Sequence, residues 1–337
     1  MQTYSCPACQ ATVFFRNLIC TCGAELAYDP EADVFLTGAN YCSNRQQIGC
    51  NWIAEDADGH CRSCRMTEVV PDTFHDANLD LWSEAEFSKR WVLTNLARWG
   101  WFRASDTGSR PRFHLLAEKT SRGKNVVMMG HAEGLITINV TEADPVEREK
   151  RRDQMDERLR TMIAHFRHEI AHFLFIRLAE DKKFLSAFRD LFGDETQDYG
   201  AALDAYYANG APDGFQQTFV TRYASSHPHE DWAETCAHML HLTDILDSAA
   251  STGLQLDGIP RKSYDAYKEP EGEALMTQSL EFGVALNHVN RSMGLQDIYP
   301  FVISPNVRKK LIFAHGYLSG NKSNQGAKSQ TGFRLFR

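Results

Sequence analysis

The sequence predicts an α+β fold in two unlike parts, a pair of N-terminal zinc ribbons followed by a mainly helical domain with a small β-sheet. Three observations predict it. Of the nine cysteines in the 337-residue chain, eight lie before residue 65 in closely spaced pairs. From about residue 145 to 250, and again over 273–293, the sequence reads as helical. Extended character is concentrated in 126–140, where VVMM and LITINV flank the turn-like GHAEG.

The cysteines come first in chain order. Cys6, Cys9, Cys20 and Cys22 read C-x2-C and C-x-C, while Cys42, Cys50, Cys61 and Cys64 read C-x7-C-x10-C-x2-C. Thiolates paired on tight turns are how a chain presents ligands to a tetrahedral zinc ion, and a cysteine-rich segment with little apolar material draws its stability from such ions. Eight thiols make two four-cysteine sites, grouped by sequence order in the simplest reading, with interleaved grouping left open. Residues 1–75 carry four arginines against nine acids, before any thiolate charge. That is the wrong sign for phosphate binding. The region is therefore expected to be structural or protein-binding.

Pro71–Leu81 reads as a linker. Ser83–Trp99 reads as a helix, with Ser83 as N-cap, Glu86 completing a capping box, and Gly100 as the stop. Residues 104–111 form a loop, and 126–140 gives a hairpin or two strands. Domain boundaries fall at 1–75, 76–318 and a basic 319–337 tail of polar, low-complexity sequence expected to be disordered.

The chemistry lies in His168-Glu169-Ile170-Ala171-His172, an HExxH motif. Residues four apart share a helix face, so both imidazoles reach one zinc ion, and Glu169 is placed to take a proton from the water that the ion activates. Ile163, Phe166, Ile170, Phe173 and Leu174 supply an apolar flank. Phe175 and Leu178 stand where a metzincin has its Gly and third His. The third ligand must then come from a later helix. In HPHEDWAETCAH (227–238), Pro228 suits a first turn, and Glu230, Glu234 and His238 align at four-residue steps. Glu230 is taken as the ligand and Glu234 as the hydrogen-bond partner of a ligand imidazole, although the same spacing allows the reverse. His227, His229 and His238 are weaker ligand candidates. Asp231 is expected to face solvent, Trp232 the core, and Cys236 to be a buried thiol. His165 reads as an ordinary histidine. Tyr223, seven residues before Glu230, could donate to an oxyanion. Leu135–Asn139 could offer a strand edge to a peptide.

These stretches resemble a known family. The cysteine-rich start, GHAEGLITINVTEAD, HFRHEIAHF, LFGDE, HPHEDWAET and ALNHVNRSMGLQDIYPF are similar to bacterial zinc-binding metallopeptidases with an N-terminal zinc-ribbon domain, over roughly residues 3–317. The resemblance implies a gluzincin-like peptidase core. HPHEDWAET also resembles the E-x-x-A-E signature of anthrax lethal factor-like peptidases, in which the first Glu binds zinc and an upstream Tyr assists. That likeness assigns these roles to Glu230 and Tyr223. Cys20-Thr-Cys22 departs from the C-x2-C more usual in the family.

Composition agrees with this reading. Apolar residues make up 43% and net charge is −8, which argues against a general nucleic-acid binder. No apolar run approaches a membrane span, and the N-terminus lacks a secretory signal. The expectation is a cytoplasmic peptidase with one catalytic and two structural zinc ions, acting on a protein or peptide. The alternatives are a non-catalytic zinc-stabilised adaptor and a protease of nucleic-acid-associated proteins.

Overall fold

The computed structural model describes residues 2–320 apart from 57, 156, 259, 261 and 262. Residues 321–337, the greater part of the expected tail, lie outside the described residues.

The ribbon region is built from strands β1 (Tyr4–Ser5), β2 (Thr12–Val13), β3 (Ala27–Asp29) and β4 (Val34–Leu36), with one-turn helices α1 (Arg45–Ile48) and α2 (Arg62–Arg65). β1 pairs with β2, and β3 with β4, both antiparallel. Tyr28 is fully buried at the hub, with the rings of Tyr4, Phe15 and Phe35 packed edge-on to it.

The larger part begins with β5 (Thr67–Val69) and α3 (Asp76–Arg98). The helix starts seven residues before the expected Ser83, so much of the expected linker is helical. Three things favour the earlier start. Asp76 complements the helix N-terminus, Asn78 donates to the Asp72 and Lys119 carbonyls, and Trp82 extends the buried face. Ser83 is an interior residue whose hydroxyl donates to the Ile48 carbonyl at 2.9 Å, fastening the helix to the second ribbon. Phe15 packs edge-on against Trp91 at 5.7 Å, fastening it to the first.

Four strands follow, β6 (Arg112–Leu116), β7 (Lys119–Thr120), β8 (Gly123–Lys124) and β9 (Gly130–Ala132), and then β10 (Leu135–Asn139). The main sheet has the order β5-β6-β10-β9, with β5, β6 and β10 parallel and β9 antiparallel to β10. β10 is therefore an interior strand, paired on both sides. This overturns the expectation that it offers a free edge to a peptide, because its Ile136 and Ile138 are fully buried core and not cleft rim. β9 is the outer strand on that side. Neither β5 nor β6 was anticipated. Thr67–Val69 is short and largely exposed, and Arg112–Leu116 is only five residues long, although its Arg112 and His114 alternate with buried Phe113 and Leu115.

The remaining helices are α4 (Pro145–Met155), α5 (Met162–Leu178), α6 (Lys182–Phe192), α7 (Tyr199–Asn209), α8 (Pro228–Thr252), α9 (Gly272–Ser292) and α10 (Pro305–Leu318). The helical character expected across 145–250 is thus interrupted. Thr161 caps α5 by accepting from the Ala164 N–H, and Gly193 and Gly210, both at positive φ, close α6 and α7. An aromatic cluster of Phe175, Phe184, Phe188, Phe192, Trp232 and Phe313 joins α5, α6, α8 and α10. No helix among the described residues is long and apolar enough to cross a membrane.

Candidate metal centres

The eight N-terminal cysteines gather as two groups, Cys6/Cys9/Cys20/Cys22 and Cys42/Cys50/Cys61/Cys64. This grouping follows sequence order and leaves no place for an interleaved one. In the first, Cys6 and Cys22 sulfurs are 3.9 Å apart and those of Cys9 and Cys20 3.6 Å. In the second, the Cys42–Cys64, Cys50–Cys61 and Cys50–Cys64 separations are 3.6, 3.7 and 3.8 Å. A disulfide would bring sulfurs to about 2 Å. A tetrahedral zinc ion with bonds of about 2.3 Å sets its four sulfurs about 3.8 Å apart, so the donor sets fit zinc. The Cys20-Thr-Cys22 half closes its turn with Gly23 at φ 87°, and the short C-x-C spacing still brings both sulfurs into the group. In the second site the Cys61 Sγ caps α2, accepting from the Cys64 N–H at 3.4 Å. The environments differ. Cys9 and Cys22 are exposed, whereas all four sulfurs of the second site belong to buried residues.

A third group lies between α5 and α8. His168, His172 and Glu230 each offer a ligand atom, and these atoms lie within 4.8 Å of one another. The two Nε2 atoms are 3.1 Å apart, Glu230 Oε2 is 3.0 Å from that of His168, and Glu230 Oε1 is 3.4 Å from that of His172. A tetrahedral ion with bonds of about 2.0–2.1 Å spaces its ligand atoms by about 3.3 Å, so this donor set also fits zinc. Glu230 is 1% exposed, and its Oε2 accepts no hydrogen bond. A buried carboxylate oxygen set beside an imidazole Nε2 and left without a donor is what a cation would satisfy.

Glu234 stands one turn further along α8, and its Oε1 is 2.7 Å from His168 Nδ1. That contact places the ring proton on Nδ1 and leaves the Nε2 lone pair facing Glu230 and His172. Of the two glutamates, then, Glu230 is beside both Nε2 atoms and Glu234 is behind one ring. Burial alone would raise the Glu230 carboxyl, but the His172 and His168 imidazoles hold it well below the usual range. Glu169 is 8% exposed and its Oε2 has no hydrogen-bond partner. Burial pushes its carboxyl up, against the pull of His168 and His172.

Other sequence candidates fall at varying distance. The Tyr223 ring lies 6.0 Å from that of His168. It is in a short 3₁₀ turn (Tyr223–Ser225), not on α8, because His227 caps α8 by accepting from the His229 N–H. His229 is stacked on His227 and edge-on to Phe175, and burial lowers its pKa to about 4. His238 is 2.8 Å from the Tyr299 hydroxyl, packed against Phe301, outside the ligand group. His165 pairs with Glu142 at 2.9 Å. Cys236 is fully buried.

Asp231 corrects an expectation. It does not face solvent, but is 1% exposed and paired with buried Lys310 at 2.5 Å. Lys310 comes from α10, 79 residues away, so nothing local in the sequence announces the partner. Two residues near the metal group were missed. Tyr199 donates its hydroxyl to Glu230 Oε1 at 2.7 Å. His131, on β9, lies nearly parallel to His172 with ring centroids 6.2 Å apart, and its Nε2 is buried without a partner. Burial, then the nearby His172 and His229, lower its pKa to about 4. Neither residue belongs to a local motif, and His131 lies in GHAEG, a stretch that reads as a turn but whose first three residues form β9.

Residues 78–317 match the family described as "Putative zinc-binding metallo-peptidase". The chain belongs to that family. Residues 3–39 and 36–75 each match a zinc-ribbon domain. Relatives that match along nearly the whole chain include uncharacterized proteins of Mycobacterium tuberculosis strains H37Rv and CDC 1551 and of Mycobacterium bovis. Each is 38% identical over 334 residues, covering 94% of both chains. No solved structure matches the chain.

Proposed function

We propose that the chain is a gluzincin-type zinc metalloendopeptidase that hydrolyses peptide bonds. His168, His172 and Glu230 would hold the catalytic ion, and the two cysteine groups would hold structural ones. The convergence of the HExxH nitrogens with a buried, donor-free oxygen of Glu230 supports the reading most.

An ion held there supplies Lewis-acid chemistry, lowering the pKa of a water and drawing charge from a carbonyl oxygen. Glu169 takes the proton as the water oxygen bonds to the scissile carbonyl carbon. It then gives that proton to the leaving nitrogen as the C–N bond breaks, leaving a carboxylate and an amine. Tyr223 donates its hydroxyl to the carbonyl oxygen as charge develops there. Burial raises the Tyr223 hydroxyl pKa, with Glu230 and Tyr199 adding to it, so it stays protonated and able to donate. Glu234 holds the His168 ring by its Nδ1. The outer strand β9, not β10, would pair with an extended peptide, because among the described residues its far edge is unpaired in the sheet.

The adaptor alternative gives Glu169 nothing to do, although a buried carboxylate oxygen without a partner is costly. The nucleic-acid alternative rests on residues 319–337, nearly all outside the described residues. The ribbons, acidic overall, are assigned to protein contacts, and cysteines gathered as metal ligands suit a reducing cytoplasm.

The test is Glu169→Gln assayed against a peptide library. Hydrolysis should fall by about 10²–10⁴-fold with the zinc content unchanged. Full turnover in that variant would defeat the mechanism.

A further inference from the structure

α7 is unlike the helices around it. None of its eleven residues is buried, whereas α5 and α8, which it approaches, each bury much of their length. Two of its tyrosines reach the proposed site. Tyr199 donates to Glu230 Oε1 and packs edge-on to His227 with centroids 5.1 Å apart. Tyr206 packs edge-on to Tyr223 at 5.8 Å. These contacts reach two residues of the proposed site, the third ligand and the oxyanion donor. The segment is bounded by Gly193 at φ 96° on one side and by Gly210 and Gly214 at φ 74° and 72° on the other. Positive φ is open to glycine at little cost, so both ends have backbone freedom that other residues lack.

We propose that Tyr199 is a positioning residue that fixes the Glu230 carboxylate toward the metal, and that α7 is a movable cover which delivers it. This rests on the peptidase reading of the same site. The two Glu230 oxygens divide the work. Oε1 accepts from Tyr199, and Oε2, which accepts from nothing, is left for the ion. A hydroxyl bound to a carboxylate is a charge-assisted hydrogen bond, and a partner of this kind orients the ligand it holds. A helix that buries none of its residues belongs to the low-stability end of a fold, from which covers and lids are drawn. The ion and the cover then reinforce each other. An ion that favours one Glu230 rotamer favours the tyrosine that binds that rotamer, and the closed cover favours the ion. Closed, α7 sets Tyr206 against Tyr223. Open, it would uncover the metal group for a peptide.

The experiment uses the full-length protein and its Tyr199→Phe variant, which keeps the ring against His227. Zinc is withdrawn stepwise by a competing chelator, and amide hydrogen exchange is followed over residues 199–209 with the third zinc bound and removed. In the parent, zinc should slow exchange in this segment. In Tyr199→Phe that slowing should be lost, and the third zinc should be held about 10–100-fold more weakly, with the two cysteine-bound ions unchanged. Equal or tighter zinc in Tyr199→Phe would overturn the positioning role, and exchange in the parent that ignores zinc would overturn the cover. Either result leaves the peptidase reading standing. A parent that binds no third zinc would defeat that reading itself, and this inference with it.

Discussion

The Trp232 indole N–H donates to the Ala171 carbonyl at 3.0 Å, joining α8 to α5 one residue before His172. Trp232 is fully buried and lies between Glu230 and Glu234 in sequence. One side chain therefore sets the height of both glutamates against both histidines. From behind, Arg167 holds the same two helices, donating to Asp244 at 2.6 Å and to Asn95 of α3 at 3.1 Å. The ligand group is positioned by contacts on both sides of the α5–α8 seam.

Trp232→Phe keeps an aromatic ring and removes the N–H. It should cost about 1–2 kcal/mol in urea unfolding. Trp232→Ala also empties the centre of the aromatic cluster, and should cost about 3–5 kcal/mol and release the third zinc. Elemental analysis of the purified variants reads the second effect, and a Trp232→Ala protein that retains all its zinc would show that the seam does not set the site.

Zinc should leave the two ribbons unequally. Cys9 and Cys22 are exposed, while the second site has no exposed sulfur. Stopped-flow mixing with a chromogenic chelator should release the first-site ion faster. Cys9→Ser should abolish that phase alone. His168→Ala combined with His172→Ala should lower the total from about three ions to two.

Lys310 and Asp231 form a buried pair across α10 and α8, with Lys310 also donating to the Thr218 carbonyl at 3.0 Å. Lys310→Met strands a carboxylate in the core and should cost about 3–5 kcal/mol. Adding Asp231→Asn should recover part of that loss. Denaturant midpoints of the two single variants and the double variant give the coupling.

Glu142 predicts the acid limb of stability. Its side chain is nearly inaccessible and bound by Arg160 at 2.6 Å, Arg151 at 3.0 Å and His165 at 2.9 Å. Burial works to raise its pKa, but His165 and Arg160 prevail and hold it far below the usual carboxylate range. A folded-state pKa below the unfolded one means stability that is present above the unfolded value, about 4.3, and is lost as pH falls below it. Urea midpoints measured from pH 6 to pH 3 should fall less steeply for Glu142→Gln than for the parent. Parallel curves would show that another group sets the slope.

The sequence by itself determined whatever depends on spacing. Cysteine pairs mark metal knuckles because adjacent ligands must share a tight turn. HExxH places two imidazoles on one helix face because four residues nearly complete a turn. Pro228 and the four-residue step from Glu230 to Glu234 mark a second helix, with both carboxylates on one side. These are local geometries, and local geometry is carried by neighbouring residues. The tertiary structure decided what depends on distant partners. It separated Glu230 from Glu234 by setting one beside both Nε2 atoms and the other behind a ring. It buried Asp231 by bringing Lys310 to it, and it made β10 interior by pairing it with β6 on one side and β9 on the other. It also brought Tyr199 to Glu230 across 31 residues. No periodicity encodes such meetings, because they follow from how helices and strands pack once their apolar faces are covered.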